Sequence, residues 1–199
     1  MTPKRTSADA EQTRVALVAA GRTLFGSAGF ANTKAIDIAQ LAGVTRGALL
    51  HHFVDKEGLF AAVLEAVEEE VATHVVSAAL KGSDPLEQLE LAFRAFLAEC
   101  VKPDITQIML IDGPSVLGWG AWHQIDSRYG YQPVLDTVRA AVSAGQLAPD
   151  DPESLSYLLL GALAEAGTII GQSDDREATR KRMSKSLIRL IDGLRIRPS

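Results

Sequence analysis

Residues 34–53 read KAIDIAQLAGVTRGALLHHF, a pattern that fits two short helices meeting at a glycine corner. Ile36, Ile38, Ala39, Leu41 and Ala42 put apolar groups on one side of a helix beginning near Ala35, with Thr33 set to cap its free N–H groups. Gly43 ends that helix, because a residue without a Cβ enters the left-handed region at no steric cost. Val44 then turns inward and Thr45 caps the second helix. Ala39 and Leu49 flank the corner at the spacing of two helices crossing at about 90–120° around a turn of about 3–4 residues.

The outer face of the second helix offers Thr45, Arg46, Gly47, Leu50, His51 and His52, with Lys34 before it and Lys56 after it. Between Ala39 and Val54 there is no carboxylate. A phosphate backbone needs donors and positive charge, which the first turn of a helix in a major groove supplies. The small residues Gly47 and Ala48 let that backbone come near. A helix pair with a Gly turn and surface cations also arises in all-α proteins for packing alone.

The surrounding residues decide between these readings. From Arg14 to Phe60 the chain resembles the N-terminal domain of the tetracycline-repressor-like (TetR) family of bacterial transcription regulators. Arg14, Leu17, Ala20 and Leu24-Phe25 carry the resemblance on a first helix. Gly29-Phe30, Thr33, Ile38-Ala39, Ala42-Gly43-Val44, Gly47, Leu49, His52-Phe53, Lys56-Glu57 and Leu59-Phe60 continue it. The resemblance implies an all-α chain: a three-helix domain with a helix-turn-helix, then a larger helical ligand-binding and dimerisation domain. It places Thr33, Lys34, Thr45, Arg46, Gly47, Leu50, His51, His52 and Lys56 at duplex DNA. One position departs. The family usually has tyrosine where Leu50 stands, and that phenol commonly contacts the DNA backbone. Leu50 can touch a thymine methyl instead, or be a lost contact.

With 199 residues and 47% hydrophobic content, the chain can fill a helical core. Its charge is uneven. Residues 1–60 carry seven Lys/Arg against five Asp/Glu, whereas 61–199 carry thirteen against twenty, and the two parts sum to −5. The basic end coincides with the corner, and an acidic body repels DNA elsewhere. The net negative charge and large apolar body disfavour a DNA-packaging protein. Cys100 is the single cysteine, which excludes a disulfide framework and reads as a buried small hydrophobe. The N-terminus has no apolar signal region and no run of eighteen apolar residues occurs, so a soluble, cytoplasmic chain with no membrane partner is expected.

In chain order, residues 1–8 are expected to form a disordered arm. It is a plain tail, or one in which Lys4 and Arg5 reach a groove or a phosphate. Residues 9–55 form the DNA-binding domain, with a first helix from Asp9 to Ala28 stopped by Gly29 and packed through Val15, Leu17, Val18, Leu24 and Phe25. Residues 56–199 form the ligand-binding and dimerisation domain. Its first helix, capped by Asp55, runs to about Leu80, a strut about 37 Å long at about 1.5 Å per residue. A helix from Pro85 to about Val101 and a shorter one from Asp104 to Asp112 follow. Gly113-Pro114 should break the chain, Ser115 to Ala121 should be irregular, and a helix should run from about Ala121 to Ala144. Residues 145–151 form a loop.

The segment 152–171 is apolar nearly all round, so it needs cover on every side. With 175–195 and their symmetry mates it is expected to form a four-helix homodimer interface, as in the resembled family. The alternative is burial within one subunit. Glu165 in that apolar helix must find a partner, be protonated or face a cavity, as an interface hydrogen bond or a ligand anchor.

The chain contains no nucleophile elbow, phosphate-cradling loop or dinucleotide fingerprint, so no catalytic residue and no cofactor is expected. His51-His52 point about 100° apart and lack ligand spacing, so no metal site is expected either. His74 reads as a solvated surface residue, and His123 beside Trp122 either faces a pocket or simply packs. Expected ligand-binding walls are Phe93, Phe96, Leu97, Met109, Trp119, Trp122, His123 and Glu165, suited to a small apolar or aromatic effector. The leading expectation is a homodimeric regulator, a repressor released by that effector from a pseudo-palindromic double-stranded operator. The competing one is a helical small-molecule-binding protein or enzyme that keeps the N-terminal helices as scaffold.

Overall fold

The structure, a computed structural model, describes residues 7–148 and 151–196. The expected arm falls mostly outside this range, but Ser7 and Ala8 already belong to helix α1 (Ser7–Asn32). Gly29 does not stop α1 outright. It bends the helix at φ 78°, and one further turn follows. Leu17 and Phe25 are fully buried, whereas Val15, expected in the packing, is exposed.

Helices α2 (Ala35–Leu41) and α3 (Arg46–His52) form the corner, with Gly43 at φ 69° between them. The Val44 N–H donates back to the Ala39 carbonyl at 2.9 Å, which closes the turn. Of the apolar stripe expected on α2, Ile38 and Ala39 are buried and Ile36 and Leu41 lie in solvent. Seven residues make only two turns, so the helix has room to bury one narrow face. Thr45 caps α3 as expected, accepting from the Ala48 N–H at 3.1 Å. Thr33 does not cap α2. Its hydroxyl donates to the carbonyls of Gly29 (2.8 Å) and Leu24 (3.2 Å), closing the end of α1, and Lys34 occupies the cap position without a side-chain bond.

Asp55 accepts from the Gly58 N–H (2.7 Å) and starts the strut α4 (Lys56–Ala79). Leu59, Phe60, Val63, Leu64, Val67 and Val71 form its buried stripe and share one apolar core with Leu17, Phe25, Ile38 and Leu49. Phe60 meets Phe25 and Phe30 edge-on, each at 5.3 Å between centroids. Helix α5 (Pro85–Glu99), capped by Asp84, inserts Leu86, Leu89, Phe93 and Leu97 into a second core. Cys100 is buried there, and burial pushes its thiol up to about 12.

Beyond α5 the chain departs from expectation. Helix α6 (Pro103–Ile105) leads into a π segment, Thr106–Asp112, then α7 (Gly113–Asp126), a second π segment, Ser127–Tyr131, and α8 (Gln132–Ser143). Gly113-Pro114 does not break this run. A proline in a helix clashes with the carbonyl four residues back. For Pro114 and Pro133 those carbonyls, of Leu110 and Tyr129, lie inside the two π segments. Their wider turns displace the carbonyl and the helix continues. Residues 115–121, expected to be irregular, are helical with one bend at Gly118 (φ 72°).

Helices α9 (Pro152–Gln172) and α10 (Arg176–Leu194) finish the fold, capped by Asp151 and Asp175. Residues 149–150 of the loop before α9 lie outside the described residues. By length and composition α9 would also suffice to cross a membrane. One side of it, Ser156, Leu159, Leu163, Ala166, Gly167 and Ile170, packs into the second core. The other side, with Leu158 72% exposed, is bare. Among the described residues there is no strand, only an isolated bridge between Leu147 and Arg195.

Candidate functional site

The corner presents a cationic outer face. Lys34, Arg46, Gly47, Leu50 and His51 are exposed, and neither Lys34 nor Arg46 is ion-paired among the described residues. His51 and His52 meet edge-on at 5.5 Å. His52 is half-buried, and its enclosed Nε2 has no hydrogen-bond partner among the described residues. Two residues expected on this face are committed elsewhere. Thr33 is 4% exposed with its hydroxyl turned inward. Lys56 Nζ donates to the carbonyls of Phe30 and Thr33, both at 2.9 Å, and lies 3.9 Å from the Phe30 ring centroid. That ammonium clamps the end of α1 to the start of α4. Replacing it would therefore disturb the fold as well as any phosphate contact.

A cavity of about 270 Å³ opens in the body between α4, α5, both π segments, α7 and α9. Phe93, Phe96, Met109, Trp119, Trp122 and His123 line it, as the sequence led us to expect. Trp119 stacks on His123 at 5.5 Å with planes 6° apart, and Tyr131 stacks on Tyr157 at 4.4 Å. Leu97 and Glu165 do not belong to the lining. Leu97 is fully buried in the second core. Glu165 is exposed on the bare side of α9, because a helix packed on one side turns residues off that side's period into solvent.

Sequence reasoning missed two acids in this lining, Glu68 of α4 and Asp126 of α7. Glu68 is 4% exposed and has no hydrogen bond or ion pair among the described residues. Burial, reinforced by Asp126, lifts its carboxyl to about 8. Burial also raises Asp126, with His123 pulling the other way. The run Glu68-Glu69-Glu70 reads as a solvated face. The signal that singles out Glu68 is its place four residues after Leu64 and three before Val71, on the buried stripe.

The cavity wall reaches the head through the first π segment. Met109 and Leu110 face the cavity, and Asp112, at the end of the same segment, accepts the Phe30 N–H at 2.8 Å. Just before that segment, Asp104 pairs with Arg22 of α1 at 2.9 Å, and Arg22 also grips Glu70 of α4. Arg22 holds Glu70 below the usual carboxylate range. Glu70, His74 and Glu99 bring ligand atoms within 4.8 Å of one another, but Arg22 and Lys102 already neutralise the carboxylates. His74 is exposed, as expected.

Comparison with known proteins places both halves in one family. Residues 17–63 match the model of the bacterial regulatory proteins of the tetR family, and residues 86–194 match the tetracyclin repressor-like C-terminal domain. The chain therefore belongs to the TetR family of DNA-binding transcription regulators, which are not enzymes. It is 42% identical over 66 residues to the transcriptional regulator TtgR of Pseudomonas putida, across 33% of this chain and 31% of that protein, so under a third of that relative's length is spanned. It is 31% identical over 149 residues to the regulator RutR of Escherichia coli, across 72% of this chain and 68% of RutR. The crystal structure of a TetR-family regulator from Pectobacterium atrosepticum superposes with a TM-score of 0.81 at 33% identity, covering 98% of this chain and 100% of that one.

Proposed function

We propose that this regulator is a cytoplasmic homodimeric repressor, released from a pseudo-palindromic operator when a small molecule with an apolar or aromatic body enters the cavity. The connection between cavity and head carries the reading. One π segment contributes Met109 and Leu110 to the cavity and Asp112 to the end of α1, so a ligand that moves the first moves the second. A ligand shifts such an equilibrium only by its differential affinity for the two arrangements.

Two recognition helices on successive major-groove faces stand about 34–36 Å apart, and a change in that separation weakens both contacts without altering either DNA surface. The dimer contact runs through α9 and α10. Leu158 and Ile169 on α9 and Leu190 and Leu194 on α10 are exposed apolar side chains that a symmetric copy would cover. At the DNA, Arg46 and Lys34 supply free cations beside the donors of α3's first turn.

The test begins by selecting bound fragments from random duplex DNA with the full-length protein. Arg46→Ala should weaken binding about tenfold and reduce the salt slope by about one, with the melting temperature unchanged. Asp112→Ala should leave ligand affinity intact but blunt ligand-driven release. Sedimentation should give a dimer, converted to monomer by Leu158→Glu. Absence of any duplex preference over random competitor would overturn the reading.

A further inference from the structure

We infer that the cavity selects a cation with an apolar body, an aromatic or alkyl ammonium, held against aromatic faces with Glu68 and Asp126 as its counter-charges. The inference rests on the ligand-responsive reading above and adds the chemical class of the ligand.

A cavity walled mainly by Trp, Tyr and Phe requires only an oily occupant. Glu68 is out of place in such a wall, since a buried carboxyl with nothing to bond destabilises the fold unless something else meets it. Among the described residues no donor does. Asp126 lines the same space, and among the described residues no Lys or Arg lines it. Arg128, two residues beyond Asp126, is drawn off to Glu65 at 2.8 Å. The titratable groups whose charge couples to Glu68 are Asp126 from α7 and Tyr129 from the second π segment, and His123 from α7, Tyr131 from the second π segment and Tyr157 from α9 line the same cavity. Helix α5 and the first π segment contribute only apolar lining, such as Phe93, Phe96 and Met109.

Three ligand classes can be weighed against this wall. An anion would meet two acids and no resident arginine or lysine. A neutral oily molecule would fill the space and leave both acids unmet. A cation gives each acid a counter-charge and sits favourably over the faces of Trp119, Trp122, Tyr131 or Tyr157. Burial keeps Glu68 protonated at neutral pH. A permanently charged ligand therefore expels that proton to solvent as it binds. Its affinity should rise with pH, by up to about tenfold per unit, until Glu68 is ionised without help near pH 8, and then level off.

The experiment compares benzyltrimethylammonium with its uncharged isostere neopentylbenzene and with the anion 3-phenylpropanoate, on the full-length protein. Binding is followed by the fluorescence of Trp119 and Trp122 and by calorimetry in two buffers of different ionisation enthalpy. The cation should bind at least tenfold more tightly than the isostere at pH 8 and release protons at pH 7. The double variant Glu68→Gln, Asp126→Asn should abolish that preference while still binding the isostere, which shows that the cavity survives. Equal binding of cation and isostere, a preference that survives in the double variant, or tighter binding of the anion would overturn the inference. DNA release is scored separately. Cation binding without release would sink the switching mechanism and leave the selectivity standing. Release by the neutral or anionic probe alone would do the reverse, and no binding of any probe would remove the cavity as a ligand site.

Discussion

The head and the cavity half are built of similar helices but hold them differently. In the head, Phe25, Phe30 and Phe60 interlock at 5.3–5.6 Å, and Thr33 and Lys56 close the end of α1. In the cavity half, the Glu68 carboxyl is buried with no hydrogen bond among the described residues, the chain widens into two π segments, and aromatic rings line a cavity. Close packing suits the part that must present one fixed surface to DNA. An unpaired buried acid and a cavity suit the part proposed to take up a ligand.

The contrast breaks first at Phe60. Phe60→Ala should cost about 3–5 kcal/mol in denaturant titrations and abolish DNA binding, whereas a loss under about 1 kcal/mol would mean the head is loosely packed. Glu68→Gln tests the opposite claim for the body. The folded chain binds the Glu68 proton between about 4.5 and 8, so wild type loses stability relative to the variant as pH rises across that window. The variant should be more stable by up to roughly 5 kcal/mol at pH 9, with the gap closing towards pH 4. Lys56→Met removes two charge-assisted bonds and should cost about 2 kcal/mol in thermal melts, with DNA affinity falling as the head loosens. Thr45→Ala, a single cap, should cost about 1 kcal/mol and fray α3, seen as faster amide exchange at Gly47 and Ala48.

The same contrast governs what could be read from the chain itself. The corner was legible because its signals are local: Gly43, the Thr45 cap, the Asp55 cap, and a stripe on α4 at helical spacing. Six of the eight expected cavity residues line the cavity because large aromatics on the inner side of helices have few other places to go. Leu97 and Glu165 were misplaced because one turn of a helix decides between core, cavity and solvent, and sequence does not reveal which neighbour covers each face. Glu68 was hidden inside a run of three acids. Gly113-Pro114 misled because a π turn is a tertiary accommodation with no fixed residue signature. Thr33 and Lys56 took part in closing α1, a role visible only once the carbonyls of Gly29, Phe30 and Thr33 are placed.

A π turn is an α-helix carrying one residue too many. Deleting a single codon within Ser127–Tyr131 would take out that extra residue and restore the narrower winding while leaving the helices on either side in register. Gln132–Ser143 would keep the side chains it now turns to the interior, and only the wall around Gly130 and Tyr131 would be redrawn. Point substitution exchanges one wall residue within the same outline, whereas a one-residue deletion here changes the outline itself, which offers descendants of this gene a short route to a cavity of another shape.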